Sequence, residues 1–177
     1  WCFHKDISAP APPTDFTAEP GHNKVHLDWT ASASGDVTGY VIQRVVWGDY
    51  PLYDTPEPSY PADHNTGDNI FDGSATSYVD TYLLDNTTRD IYYYAIFAYD
   101  AAGNYSVLDA SAQARSTSYW LGDVADDLTN FGVYNGYVNH GDLYHLGFAY
   151  WKGPGNAGWQ PEADWGPTAD GNPHGVP

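Results

Sequence analysis

Short stretches in which apolar and polar side chains alternate are the feature that most constrains the fold of this chain. Within residues 24–29, the apolar side chains of Val25, Leu27 and Trp29 occupy every second position. A period of two is typical of a β-strand with one buried face. Strand character is expected in five segments: 24–29, 40–44, 77–80, 91–99 and 106–116. Because turns separate these segments and none has a helical period, the sequence predicts an antiparallel β-sandwich.

The composition indicates a folded and strongly acidic protein. Of the 177 residues, 42% are hydrophobic and 16% are aromatic, which is enough to build a core. The chain has 6 lysine and arginine residues against 23 aspartate and glutamate residues, for a formal net charge of −17. Such a surface repels nucleic acids and anionic membranes and attracts cations. We therefore expect no nucleic-acid partner, and the charge serves either cation binding or solubility in a salty exterior.

Sulfur-containing residues are nearly absent. Cys2 is the only cysteine, so an internal disulfide cannot form, and the chain has no methionine, not even an initiator. No apolar run is long enough to cross a membrane. These features predict a secreted bacterial or archaeal protein, either with its leader removed or as a piece of a longer polypeptide. The expected location is extracellular or on the cell surface, without membrane insertion.

Two regions of the first two thirds of the chain lack the alternating pattern. Residues 1–11 end in a proline-rich stretch and are predicted to form an extended N-terminal lead-in. Residues 47–75 contain repeated prolines and glycines without regular spacing. We expect this long insertion to be an ordered surface loop rather than a domain of its own.

Four segments of the predicted sandwich are similar to a known family. The segments are 11–16, 25–29, 39–44 and 92–106. Together they resemble a fibronectin type III domain that covers residues 12–118. The resemblance implies that Trp29 lies in the core and that a tyrosine hydroxyl bonds back to the backbone in a corner motif. The residues that fit this motif are Leu83 or Leu84, Tyr92, Tyr94, Ile96 and Ala98. The resemblance specifies a fold and says little about function.

Residues 135–143, with the sequence Asn-Gly-Tyr-Val-Asn-His-Gly-Asp-Leu, have the pattern of the late half of a calcium-binding loop. Such a loop needs oxygen ligands on alternate residues, a glycine for the sharp turn, and a carboxylate where the exiting helix begins. Leu143, Leu146 and Tyr150 would share one apolar face of that helix. With the Leu-Gly-Asp at 121–123, the pattern resembles a dockerin repeat, and it predicts a small calcium-loop and helix segment over 119–177.

The dockerin resemblance implies a set of calcium ligands. They are Asp123 at the start of the loop, then Asn135, the Tyr137 carbonyl, Asn139 and Asp142. The sequence departs from the family pattern between Asp123 and Asn135, where an inserted stretch replaces the early half of the loop. Asp126, Asp127 or Asn130 of this insert would supply the missing ligand, and Asp127 is included in the predicted site. An alternative remains open, in which Asp142 only caps the helix.

A second repeat begins near the end of the chain. Asp164 and Asp170 are its predicted ligands, in the stretches Ala-Asp-Trp-Gly at 163–166 and Asp-Gly-Asn at 170–172. The chain stops at Pro177 before a closing aspartate and helix. The resemblance therefore implies an incomplete second calcium repeat.

Two further groups of residues are candidate sites. Asn86 and Asn104 begin glycosylation sequons in predicted turns. The C-terminal aromatic residues are candidates for a contact surface: Tyr150, Trp151, Trp159 and Trp165. Exposed aromatics of this kind stack on sugar rings in carbohydrate-binding modules, but packing of the tail onto its own domain or a neighbour is the favoured interpretation.

The sequence offers no catalytic motif. It contains no glycine-rich phosphate loop, no nucleophile elbow and no metalloprotease helix, so no catalytic residue is predicted. We expect a non-catalytic extracellular structural or assembly module, stabilised by calcium, that holds together or attaches a secreted or cell-surface assembly. Its partner would be another protein or further copies of itself, including as a filament subunit. The alternative is a carbohydrate-binding accessory module of a secreted polysaccharide-degrading enzyme.

Overall fold

The computed structural model describes residues 6–48, 55–81, 90–120, 122–153, 155–160 and 163. The strands are β1 Thr14–Gly21, β2 Lys24–Thr30, β3 Val37–Val46, β4 Asp68–Gly73, β5 Ser77–Asp80, β6 Ile91–Asp100 and β7 Gln113–Thr117. A short 3₁₀ helix, Ala110–Ala112, precedes β7, and one α-helix, α1 His140–Ala149, follows the strands.

The seven strands form two antiparallel sheets. One sheet has the order β1-β2-β5 and the other has the order β4-β3-β6-β7. Neighbouring strands in each sheet run antiparallel, from the β1–β2 hairpin to the β6–β7 pair. This two-sheet order is that of a fibronectin type III-like sandwich, so the predicted fold class is confirmed. The α-helix α1 follows the sandwich in the chain, as the sequence indicated.

The core lies between the two sheets and is built largely from aromatic rings. Trp29 is 5% exposed and meets Phe16, Tyr40 and Phe71 edge-on, with ring centroids 5.6 to 6.1 Å apart. The other buried members of this cluster are Val25, Leu27, Ile42, Tyr92, Tyr94, Ile96, Ala98 and Ala112. Edge-to-face contacts are favourable because the positive ring edge faces the negative ring face. The prediction that Trp29 is the core tryptophan is confirmed.

One end of the core contains a buried ion pair. Arg44 Nη1 lies 2.9 Å from Asp80 Oδ2, and Asp80 is fully buried. The Tyr94 hydroxyl donates to the same Asp80 oxygen at 3.1 Å. Burial raises the pKa of Tyr94 strongly, and the negative charge of Asp80 raises it further. The Tyr94 hydroxyl therefore bonds to a side chain and not, as the corner motif implied, to the backbone, and Leu83 and Leu84 of that motif lie outside the described residues.

Two expectations about segment structure are wrong. The insertion 47–75 is not irregular throughout, because β4 forms in it and pairs with β3. The asparagine, aspartates and glycine of β4 disfavour a strand, but Ile70 and Phe71 pack against the core and hold it in place. The last strand is also shorter than 106–116. A 3₁₀ helix capped by the Asp109 side chain occupies the stretch just before β7.

Candidate functional site

The residues after the sandwich, here called the C-terminal segment (119–160), fold back against the turn between β1 and β2. The Asn23 amide donates to the Ser118 carbonyl at 2.9 Å. The ring of His22 lies over Gly136, and His22 Nδ1 is 3.9 Å from the carboxylate of Asp123. Gly136 has φ +83°, and a Cβ on it would lie 2.9 Å from His22 Cγ. Only glycine therefore fits both the backbone conformation and the close approach of the ring.

Asp142 fixes the start of α1. It is fully buried, and its Oδ2 accepts from the Asn139 amide at 2.7 Å while Asn139 Oδ1 accepts from the Gly141 amide at 2.8 Å. This reciprocal arrangement is a capping box. Asp142 Oδ1 also accepts from the amides of Val124 at 2.7 Å and Ala125 at 2.9 Å. The carboxylate thus caps the helix, as the alternative interpretation held, and also ties the helix to the start of the loop.

Asp123 performs the matching role at the other end of the loop. It is fully buried, and it accepts from the Gly136 amide at 2.9 Å and from the Asn135 amide at 3.3 Å. Asn135 Oδ1 accepts from the Tyr137 amide at 2.9 Å, and its Nδ2 donates to the Asp126 carbonyl at 3.1 Å. These bonds close the inserted stretch, so that four predicted ligands (Asp123, Asn135, Asn139 and Asp142) belong to one hydrogen-bonded loop.

The remaining predicted ligands lie at the surface or beyond the described residues. Asp127 is exposed, and its Oδ1 accepts from the Thr129 amide at 2.6 Å, the Thr129 hydroxyl at 2.8 Å and the Asn130 amide at 2.9 Å. These bonds favour the charged form and lower the pKa of Asp127. The Tyr137 side chain is largely exposed. Asp164 and Asp170 lie outside the described residues.

The loop offers hard oxygen donors suited to calcium. Asp126 Oδ1 is buried and has no hydrogen-bond partner within the described residues. Carboxylate and amide oxygens are the ligands that calcium prefers. Asp123, Asp126 and Asn135 thus carry oxygens of the kind that calcium binds, and the calcium site in this loop stays a prediction.

A separate acidic cluster lies at one end of the sandwich. Asp6, Asp36 and Asp100 have carboxylate oxygens within 4.8 Å of one another, and they are the only such group of three among the described residues. The Asp100 oxygens already accept from the Ala102 amide and from the amide and side chain of Asn104. These bonds lower the pKa of Asp100, led by the Asn104 side chain. Sequence reasoning missed the cluster because its members are far apart in the chain.

The predicted glycosylation site at Asn104 lies in the turn that follows β6. Its Nδ2 donates to Asp100 Oδ2 at 2.7 Å and to the Asp6 carbonyl at 3.3 Å. A glycan at this nitrogen would remove one of the two N–H groups that make these bonds. Asn86 lies outside the described residues.

Much of the apolar surface of the C-terminal segment is open to solvent. Among the described residues, 10 of the 14 exposed large apolar side chains lie between Trp120 and Trp151. Five of them follow the capped start of α1 and are here called the aromatic surface: Leu143, Tyr144, Phe148, Tyr150 and Trp151. Trp151 is 88% exposed. The interpretation favoured from the sequence is that Tyr150 and Trp151 pack onto the tail's own domain or a neighbour. Within the described residues, the structure does not show them packed onto their own domain.

Trp159 differs from these two aromatics because it is partly buried. Its Nε1 is enclosed and has no hydrogen-bond partner in the described part of the chain. Trp165 lies outside that part. Among the described helices, none is long and apolar enough to cross a membrane.

Comparison with other proteins finds similarity in solved structures only. No protein-family model matches the sequence, and no curated protein matches it. FN3tt is 24% identical with a TM-score of 0.42, and the match covers 63% of this chain and 96% of FN3tt. An Fn3-like protein from Clostridium thermocellum is 23% identical with a TM-score of 0.41, covering 61% of this chain and 92% of the other.

A longer protein is also similar to the chain. The spore cortex lytic enzyme SleM of Clostridium perfringens is 19% identical with a TM-score of 0.38, and the match covers 61% of this chain. This chain spans only 27% of the length of SleM. Because these scores are low, the fold assignment rests on the strand order and the buried Trp29, which are those of a fibronectin type III-like sandwich. A loop-and-helix segment follows the sandwich.

Proposed function

We propose that the protein is a non-catalytic extracellular module that attaches to a partner protein, or assembles with its own copies, through the aromatic surface of its C-terminal segment. The observation that carries this proposal is the exposure of Tyr144, Phe148, Tyr150 and Trp151 directly after a helix start that a buried carboxylate holds in place. Large exposed apolar patches mark protein-interaction sites, since exposing them to water is unfavourable. Aromatic side chains also dominate the binding energy of such interfaces.

Calcium is proposed to order the segment that presents this surface. Asp123, Asp126 and Asn135 would hold the ion, and its positive charge would offset the repulsion among the loop carboxylates. Few of the loop's apolar side chains are buried: Val124 and Ala125 are, whereas others such as Leu128 and Val133 are exposed. Ion binding would therefore contribute to the folding free energy of the segment.

Hydrogen exchange with and without calcium tests this part of the proposal. At a calcium concentration of about 100 times the dissociation constant, exchange of the amides in 122–149 is expected to slow about 100-fold relative to the chelated protein. Asp123→Asn should remove the effect. Asp109→Asn, which changes an exposed carboxylate that caps the 3₁₀ helix, is the matched control and should retain it. Equal exchange with calcium and with chelator contradicts the calcium role.

Sedimentation velocity and electron microscopy test the assembly role separately. The full chain is expected to form larger species as its concentration rises, and these should be lost in a Tyr144→Ser/Phe148→Ser variant. Both positions are exposed, so the sandwich should remain folded, which circular dichroism checks. A chain that stays monomeric and forms no filaments contradicts self-assembly and leaves attachment to a different protein to be tested with the same variant.

A further inference from the structure

Trp120 stands between two adjoining hollows at the edge of the sandwich. One hollow has a volume of about 450 Å³ and the other about 390 Å³, and Trp120 and Pro20 line both. Volumes of roughly 300–1,000 Å³ are typical of sites for small organic ligands. Trp120 is 41% exposed, so the ring is partly held by the protein and partly free to contact a ligand.

The larger hollow lies on the outward face of the β1–β2 pair. Lys24, His26 and Asp28 alternate with the buried Val25 and Leu27 and therefore point away from the core. Glu19 is directly opposite His26 on β1, which puts its side chain on the same face. The hollow is thus lined by two carboxylates, a lysine and two histidines beside the indole: Glu19, Asp28, Lys24, His22 and His26.

The smaller hollow lies on the other side of Trp120, where β1 approaches β7. Arg115 is its exposed polar residue, whereas Ser116 and Thr117 line it but are buried, and the Thr117 hydroxyl donates to the Tyr119 carbonyl. Arg115 is held in place by Glu57, with Nη1 2.8 Å from Glu57 Oε1. The two hollows together form a groove across Trp120, which is polar in the larger hollow and mostly apolar in the smaller one.

The geometry points to this groove as a binding site for a neutral oligosaccharide, with one sugar ring lying against Trp120 and its neighbours in the two hollows. A pyranose ring has apolar C–H faces, which suit an indole, and hydroxyls around its edge. Those hydroxyls both donate and accept, and the groove offers carboxylate acceptors beside lysine, histidine and arginine donors. The site uses different residues from the aromatic surface and from the calcium loop, so it stands independently of the proposed function.

Charge favours a neutral ligand over an anionic one. The groove contains two of the six lysine and arginine residues of the chain, Lys24 and Arg115, but also the carboxylates of Glu19 and Asp28. The overall formal charge of −17 opposes the approach of a polyanion. An anionic glycan would therefore meet repulsion at long range and find mixed charges at the site.

Affinity electrophoresis of the full chain tests the proposal. Native gels would contain mixed-linkage β-glucan, glucomannan or arabinoxylan as neutral probes, with polygalacturonate as the anionic comparison. At least one neutral polysaccharide is expected to slow the protein. Trp120→Ala should weaken that association constant by about tenfold or more. Val107→Ala, which shortens an exposed apolar side chain outside both the groove and the aromatic surface, is the control and should behave as the original protein does.

A conservative variant guards against loss of folding. Glu19→Gln keeps the shape of an exposed side chain and should also weaken retardation, and circular dichroism should show an intact fold for both groove variants. The proposal is overturned if none of the neutral polysaccharides slows the chain. It is equally overturned if only polygalacturonate does so, or if retardation survives both Trp120→Ala and Glu19→Gln.

Discussion

The sandwich and the C-terminal segment bury opposite kinds of side chain. In the sandwich, aromatic and aliphatic residues fill the core, and the buried Asp80 is paired with Arg44. In the C-terminal segment, the buried side chains include Asp123 and Asp142, while Leu143, Phe148 and other apolar residues are exposed. The first unit is stabilised by apolar burial, which needs no specific geometry. The second depends on hydrogen bonds from backbone amides to two carboxylates, and these bonds need a specific distance and angle.

This difference has consequences for stability and for function. Apolar burial gives the sandwich many small contributions, so that surface changes are well tolerated. The C-terminal segment has few buried contacts, and regions of this kind open locally at low free-energy cost. A segment that opens easily but closes around defined carboxylates is suited to control by a cation.

The largest effect is expected from Asp80→Ala. The change leaves the buried guanidinium of Arg44 without its main partner and also removes the acceptor of the Tyr94 hydroxyl. Breaking a buried ion pair in this way costs about 3–5 kcal/mol of unfolding free energy. Urea unfolding followed by circular dichroism measures the loss.

Asp68→Ala is the matched control for this experiment. Asp68 lies 3.3 Å from Arg44 Nη2, but its side chain is 70% exposed. Loss of an exposed pair costs about 0–1 kcal/mol. If the two substitutions cost the same, the stability of the sandwich does not depend on the buried ion pair.

A smaller effect is expected at the junction between the units, from Gly136→Ala. Both Gly136 and Gly132 have positive φ, +83° and +80°, so alanine at either costs about 1–2 kcal/mol of backbone strain. At Gly136 the added Cβ also meets the His22 ring, whereas at Gly132 no atom lies within 4 Å. Gly136→Ala should therefore speed hydrogen exchange in 122–149 more than Gly132→Ala does.

The double variant His22→Ala/Gly136→Ala isolates the contact between the units. Removing the imidazole should reduce the excess cost of Gly136→Ala over Gly132→Ala, with a remainder from the His22 Cβ, which lies 3.1 Å from the added Cβ. Equal effects of the two glycine substitutions, with or without His22, would show that the segment does not depend on the β1–β2 turn.

The sequence predicted those features that depend on neighbours in the chain. Alternation of Val25, Leu27 and Trp29 was sufficient for β2, because a half-buried strand imposes that period. The start of α1 was predictable from the spacing of Asn139 and Asp142, since both belong to one helical turn. The short strand β4 was missed because its aspartates and glycine oppose a strand locally and tertiary contacts decide the outcome.

The features that the sequence could not predict join distant residues. His22 meets Gly136 only because the C-terminal segment returns to the β1–β2 turn, and no local pattern reports that path. The groove at Trp120 likewise combines β1, β2 and β7. Exposure of Trp151 was also unpredictable, because the composition of a tail does not reveal whether a surface is near enough to cover it.

Alkaline pH is expected to destabilise the sandwich through its buried tyrosines. Each tyrosine should contribute less to the free energy of unfolding than Asp80→Ala or Gly136→Ala does. The pKa values of Tyr92 and Tyr93 are raised from the ordinary value of 10 to about 12, mainly because both side chains are buried. A folded-state pKa above the unfolded value means that the native state holds its protons longer, so stability is fully present below about pH 10 and is lost as pH rises through about 12. Absorbance of tyrosinate at alkaline pH, recorded with circular dichroism, should show late-ionising tyrosines whose titration accompanies loss of the sheets.

Tyr93→Phe removes one such group together with its hydrogen bond to Glu57, and it should shift the remaining loss of structure towards higher pH. Ionisation of every tyrosine near pH 10 with the sheets intact would show that the β6 tyrosines are accessible to water, and the distinction between a dry sandwich and a carboxylate-held segment would then not hold.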